Sequence, residues 1–338
     1  MASVGRIMTR LLVLGGTAWL GREVARQAVA AGMDVTCLAR GEAGAPPAGA
    51  RFIPADRGLP GSYDQAADQE WDAVLDLTWQ PGFVSSALDA LAARAAHWVY
   101  VSSGSVYADT ATPGADETAA LLAPLDSDTA TMEEYGPAKV RCGQLVQGAM
   151  GERCLLGRAG LIGGPGDGSD RFGYWVSRFA LAADAAVLVP DSPALGTQTI
   201  DVRDLADFLV RACAHRLTGA VNLVGERRAL PDVLSLAAQA AGFTGEKVPA
   251  APEWLEEHEV QPWAGPRSLP LWLPLPECAG FGARSDARAL AMGLVRRPLV
   301  ATLADTLADE RARGLDPPRR AGLDRADEVA LIAQARRG

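Results

Sequence analysis

Short apolar runs and amphipathic stretches take turns along the first half of the chain. "RLLVL" (10–14), "DVTCLAR" (34–40), "RFIPAD" (51–56), "WDAVLDLTW" (71–79) and "HWVYVSS" (97–103) are dense in aliphatic and aromatic residues. That is the pattern of strands covered on both faces. Between the first two, "WLGREVARQAVAAG" sets Leu20, Val24 and Ala28 on one helical face and stops at Gly32. Between the last two, "VSSALDALAARA" repeats the helical period, and "CLLGRAGLI" (154–162) predicts a sixth strand. Strands alternating with helices predict a parallel sheet of about seven strands, wound with helices on both faces.

The rhythm then breaks. Residues 104–133 are rich in Thr, Ala, Asp and Pro without a period, predicting a long active-site loop with room for a short helix. Pro137 suits the first turn of a helix that follows Tyr135. Past the sixth strand, "GGPGDGSDRFGYW" predicts a glycine-rich turn into a helix near 172–183, where the chain leaves the main sheet. "LADFLVRACA" (205–214) predicts a helix returning to it, and 225–313 reads as short helices between Pro-rich linkers. The expected class is α/β. A Rossmann-type doubly wound sheet spans 1–165, with 197–224 returning to it; 166–196 and 225–315 form a smaller C-terminal α/β substrate-binding domain; 316–338 is a peripheral tail helix.

Composition narrows the function. With 338 residues and 49% hydrophobic residues the chain can bury a large core. A net charge of −9 argues against a nucleic-acid surface, which needs clustered Lys and Arg. The five cysteines include no CxxC pair and the three histidines stand far apart, so no metal site is expected and a reducing compartment fits. No apolar run approaches the ~20 residues of a membrane helix. The opening "MASVGRIMTRLLVLGG" lacks the h-region and cleavage site of a signal peptide, which makes a cytoplasmic location the expectation.

Chemistry enters at "VLGGTAWLG", which ends the first strand and opens the first helix. Gly15 and Gly21 hold the outer positions of a G-x-x-G-x-x-G turn and Ala18 the middle one. A sharp turn, a small residue where backbone approaches pyrophosphate, and a glycine for close helix–strand packing are what a dinucleotide needs. Gly15, Thr17, Ala18, Trp19 and Leu20 are therefore cofactor-binding candidates. At the end of the second strand, an acid would bind the ribose 2′-hydroxyl of NAD. Arg40 stands there instead and suits a 2′-phosphate through charge-assisted bidentate bonds, so NADP(H) is expected and NAD(H) is the alternative. Arg22, early in the helix, would add to a basic pocket.

With this turn, "VYVSSGSVYAD" and "YGPAK" in order, the chain resembles the extended short-chain dehydrogenase/reductase family, the superfamily of NAD-dependent epimerases and dehydratases. The resemblance runs on through "GRAGLIGGPGD" to "TQTIDVRDLADFLVRA". It implies that Ser103, Tyr135 and Lys139 form the catalytic group: Tyr135 as acid/base, Ser103 bonding the substrate oxygen, and Lys139 holding the nicotinamide ribose and favouring the phenolate. It also implies that Asp56 contacts the adenine, with Arg57 beside it, and that Leu77 and Thr78 pass the cofactor. Trp79, Ser105 and Arg171 are candidates for the substrate pocket.

Two departures matter. Leu161 stands where nucleotide-sugar members carry an Asn, and Gln198 stands in "LGTQTIDVRD" with no arginine before the helix. Both weaken the case for a nucleotide-sugar substrate. The resemblance therefore implies an oxidoreductase moving a hydride between NADP(H) and a carbonyl or imine of a small molecule. One alternative is a sugar epimerase or dehydratase using transient oxidation. Another is a non-enzymatic relative, since chloroplast stem-loop-binding proteins share a GGT-x-x-L-G turn and bind RNA. The expected partners are a small-molecule substrate and a second copy of the chain in a homodimer, with neither nucleic acid nor membrane.

Overall fold

A computed structural model describes residues 8–337. The absence of a leader expected for the start of the chain falls partly on residues 1–7, outside those described. β1 (Arg10–Leu14) leads through the glycine turn into α1 (Trp19–Ala30), followed by β2 (Asp34–Ala39) and β3 (Arg51–Pro54). Then come α2 (Asp64–Ala67), β4 (Ala73–Asp76), α3 (Pro81–Leu91) and β5 (Trp98–Ser103). After the long loop come α4 (Tyr135–Met150), β6 (Cys154–Ala159) and β7 (Leu161–Gly163). α5 (Gly173–Ala182), β8 (Val187–Pro190), β9 (Gly196–Asp201), α6 (Val202–His215) and β10 (Gly219–Leu223) complete the central part.

The main sheet has seven parallel strands in the order β10-β6-β5-β4-β1-β2-β3, the Rossmann arrangement with one strand added. Period-two alternation decides which side chains face which helix layer. Leu11 and Val13 pack with Val24, Ala28, Leu205 and Phe208 under α1 and α6. Leu12 and Leu14 pack with Val84, Leu88, Trp98, Cys142 and Val146 under α3 and α4. β3 buries Ile53 alone among its four residues and ends on Pro54, as suits an edge strand. The strand order reverses between β1 and β4, where Leu14 pairs with Asp76, and this opens a crevice at their carboxyl ends.

The predicted sixth strand divides at Gly160. Its first part stays in the main sheet, while β7 pairs with β9 in a three-stranded sheet completed by β11 (Arg227–Ala229). Beyond lie α7 (Leu230–Ala241), β12 (Lys247–Ala250), α8 (Pro252–Glu257), β13 (Gln261–Pro262), β14 (Ser268–Leu269), α9 (Ala287–Ala291), α10 (Leu299–Arg313) and α11 (Arg325–Ala335). Here α7 and α10 are full-length helices rather than short ones. Trp175, Phe179, Leu230, Leu234, Trp272 and Leu303 centre a separate core in this part.

The tail helix docks by one face. α11 buries Leu331 and Ile332, and its Glu328 is 0% exposed. That carboxylate accepts from Leu188 N at 3.1 Å and pairs with Arg178 at 3.5 Å and with Arg325. A buried anion with three donors ties the tail into the core. Among the described residues no helix is long and apolar enough to cross a membrane.

Candidate active site

Gly15, at φ +100°, makes the turn that ends β1, and α1 opens at Trp19 with neither an acid in its first turn nor a side-chain cap. Its first N–H groups therefore have neither a side-chain cap nor an acid beside them, a setting that favours an anion. A Cβ on Gly21 would collide with the Gly15 carbonyl oxygen and lie 2.8 Å from Leu77 Cδ1. The turn is therefore shaped against Leu77 from across the crevice. Thr17 is buried within it. Trp19 donates from Nε1 to Pro165 O at 2.8 Å and joins the turn to the glycine-rich segment after β7.

Arg40 follows β2 on the surface. It is 58% exposed and pairs at 3.0 Å with Glu42, itself 69% exposed. Asp56 accepts from Gly58 N at 2.9 Å, forming a local turn. Arg57, expected beside the adenine, turns inward instead. It binds Asp76 through two bonds of 2.7 and 2.8 Å and donates to Phe83 O at 2.8 Å and Tyr63 OH at 2.8 Å. Burial opposes the Arg57 charge, but the Asp76 carboxylate holds its pKa above the ordinary value. Asp76 is 0% exposed, and a fully desolvated carboxylate needs such a partner.

The catalytic candidates come together above this pair. Lys139 is 3% exposed and donates to Thr78 O at 2.9 Å and Val101 O at 2.6 Å. Its Nζ lies 4.8 Å from the Tyr100 ring centroid and 5.9 Å from that of Tyr135. Burial pushes its pKa down to about 8, against the pull of Cys142 and Asp76. Tyr100 also donates to Thr78 O, at 3.0 Å. The carbonyl beside the crevice thus fixes both side chains.

Tyr135 opens α4 and lies partly buried, its ring 5.8 Å from that of Trp79. Burial raises the phenol above its ordinary value, while the Ser103 hydroxyl, by hydrogen bonding, and the Arg171 charge pull it down. Ser103 Oγ also accepts from Ser105 N at 3.1 Å, capping the single turn Gly104–Val106. Gly136 lets that turn approach the helix: a Cβ there would meet Ser105 O at 2.6 Å. The loop after it is pinned rather than loose, since Gln80 exchanges bonds of 2.9 and 3.0 Å with the Ala130 backbone. Arg171 stacks over Trp263, 5.1 Å from its centroid.

The sequence alone did not point to Asp76, Tyr100, Gly136 or Trp263. An acid ending the apolar run "AVLD" was a usable signal for Asp76. Trp263 carried none, because folding alone brings it to Arg171. The two departures in the sequence are now placed: Leu161 is buried in the second core. Gln198 donates to Gly225 O and Arg284 O at 3.1 and 2.9 Å and accepts from Arg284 N at 2.8 Å. A cleft of about 570 Å³ elsewhere, lined by Asp201, Asp204, Arg296 and Arg297, holds none of these candidates. Among the described residues no group of three or more His, Cys, Asp or Glu side chains is placed to hold a metal.

Residues 11–224 match the model of the NAD dependent epimerase/dehydratase family, well over half of the chain. A search of curated proteins finds no match. Among solved structures, a proposed epimerase of Burkholderia cenocepacia J2315 aligns with TM-score 0.70 and 21% identity, over 91% of this chain and 100% of that one. The Bordetella bronchiseptica enzyme WbmH, in complex with NAD+, aligns with TM-score 0.68 and 16% identity over 90% and 98%. The UDP-glucose 4-epimerase of Thermus thermophilus, in complex with NAD, gives 0.62 and 16% over 90% and 100%. At these identities the likeness is one of fold.

Proposed function

The chain belongs to the NAD dependent epimerase/dehydratase family, and from that premise we propose that it is a dinucleotide-dependent oxidoreductase acting on a carbonyl or imine of a small molecule. One observation carries the reading: the Tyr135 ring lies 5.9 Å from Lys139 Nζ, which is held on the Thr78 carbonyl just past β4, and 5.8 Å from the Trp79 ring, at the carboxyl end of the sheet where the glycine turn also lies.

The turn fits the dinucleotide. Gly21 leaves no room for a side chain, and the start of α1 carries no acid to repel a pyrophosphate. Gly15, Thr17, Ala18, Trp19 and Leu20 would hold the phosphates, Asp56 the adenine side, and Leu77, Thr78 and Lys139 the nicotinamide half. When bound, the dinucleotide supplies the hydride donor or acceptor. The chain's own residues handle the proton. Tyr135 gives its phenolic proton to the substrate oxygen or nitrogen in the reducing direction and takes it back in the oxidising one. Ser103 donates to the same substrate atom. Lys139, locked on two carbonyls with its Nζ 5.9 Å from the Tyr135 ring, would favour the phenolate by its charge.

NADP(H) is the proposed preference. β2 ends without a carboxylate, and Arg40 is exposed enough to exchange Glu42 for a 2′-phosphate. The five cysteines are free and fit a reducing, cytoplasmic setting.

Epimerisation by transient oxidation is the second reading, favoured by the family match. Net oxidoreduction is preferred because Leu161 and Gln198 are occupied in packing and leave a sugar diphosphate without its grip. Absorbance at the reduced nicotinamide band separates the two. Net reduction consumes NADPH in proportion to product, whereas epimerisation turns over with the cofactor unchanged.

A further inference from the structure

Arg171, whose charge reaches the Tyr135 phenol, forms no ion pair with a carboxylate among the described residues. Many of the partly buried arginines of this chain close on carboxylates: Arg57 on Asp76, Arg203 on Asp201, Arg297 on Asp204, and Arg319 on Glu310 and Asp170. Arg171 does not. Among the described residues its guanidinium makes one long bond, Nε to Ser169 Oγ at 3.3 Å, and no carboxylate lies within ion-pairing distance. Both terminal nitrogens are left for a ligand. Asp167 acts on it only through space and keeps one buried carboxylate oxygen without a partner of its own.

The backbone is built to aim this side chain. Asp170, the residue before it, sits at φ +60°, where a non-glycine residue costs about 1–2 kcal/mol. Three donors hold it there: Arg313 at 3.2 Å, Arg319 at 3.3 Å and the Arg320 backbone at 2.9 Å. The Trp263 ring then stacks against the guanidinium at 5.1 Å. At the phenol itself, the Trp79 ring stands 5.8 Å from that of Tyr135. A strained, clamped residue, an aromatic shelf and a planar cation without an ion-pair partner together make a preorganised anion anchor.

We infer that Arg171 binds a carboxylate of the substrate, so that the reacting carbonyl or hydroxyl compound is an oxo- or hydroxy-acid with an apolar or planar body. One guanidinium balances one negative charge and matches a carboxylate through two parallel bonds. A phosphate monoester would bring nearly two charges, and Lys139, the cation beside Tyr135, is already bonded to carbonyls. This inference deepens the proposed enzymatic reading and rests on Tyr135 as the acid/base. Arg171 is a specificity residue and takes no proton.

Calorimetric titration of the full chain, free and saturated with NADP+, tests it with benzoate, benzamide and phenyl phosphate as probes. Benzoate should bind at least about tenfold tighter than benzamide or phenyl phosphate. Arg171→Gln should abolish that preference and Arg171→Lys restore part of it, with NADP+ affinity unchanged in both. Equal binding of benzoate and benzamide, no benzoate binding, or a preference that survives Arg171→Gln would overturn the inference, and tighter phenyl phosphate would replace the carboxylate by a phosphate. Benzoate selectivity without any NADP+ binding would sink the oxidoreductase reading and leave the anchor standing.

Discussion

Lys139 Nζ donates to the backbone carbonyl of Thr78 at 2.9 Å, and so the helix that carries Tyr135 is pinned to the end of the strand that walls the crevice. Burial holds the folded pKa of Lys139 at about 8, below its ordinary 10.5. Below pH 8 both folded and unfolded chains carry this proton, and the burial penalty is present in full. Between about 8 and 10.5 the unfolded chain keeps a proton that the folded one has lost, so this group makes stability rise with pH. Melting temperatures of wild type and Lys139→Met should therefore diverge in favour of wild type as pH rises from 8 to 10. Parallel curves would show that Lys139 is not desolvated.

Two glycines set the distances between the site's elements. Gly136→Ala should lower stability by about 1–3 kcal/mol, because its methyl must displace the Ser105 carbonyl. Gly21→Ala should weaken dinucleotide binding by about tenfold or more, since helix and turn can no longer close. Urea melts and a fluorescence titration read the two effects. A Gly21→Ala protein binding dinucleotide as wild type does would place the phosphates elsewhere.

Arg57 supports the site from beneath. Arg57→Met leaves Asp76 charged, buried and unpaired, and should cost about 3–5 kcal/mol. Adding Asp76→Asn should recover much of that loss. If the double variant is no better than Arg57→Met, the bidentate pair is not the source of the stabilisation.

Arg40 and Glu42 test cofactor choice. NADPH should bind at least about tenfold tighter than NADH, and Arg40→Ala should narrow that gap. Glu42→Gln should tighten NADPH only a few-fold, because an exposed pair contributes about 0–1 kcal/mol. Equal affinities for the two dinucleotides in the wild type would refute the preference.

Sheet and site were legible in the sequence to different depths. The inner strands declared themselves because both of their faces are covered, so the runs were apolar throughout, as in Leu11 to Leu14. The glycine turn and the Tyr135–Lys139 spacing were local patterns and readable as such. The split of the sixth strand at Gly160 was not, since partners far along the chain decide it. The inward turn of Arg57 depends on one acid at the end of β4, and the tail's docking depends on Glu328 reaching Leu188 N. Trp263 meets Arg171 only through tertiary packing between segments about ninety residues apart, a contact that periodicity cannot carry.

The phenol of Tyr135 is the group on which the proposed chemistry depends most. Tyr135→Phe removes one oxygen and keeps the ring that packs against Trp79. Titration with NADPH and turnover against a panel of oxo-acids should be measured on the same preparation. Dinucleotide affinity should stay within about twofold of wild type while kcat falls by at least about a hundredfold, the scale of a lost general acid. Turnover at the wild-type rate by Tyr135→Phe would contradict the mechanism outright.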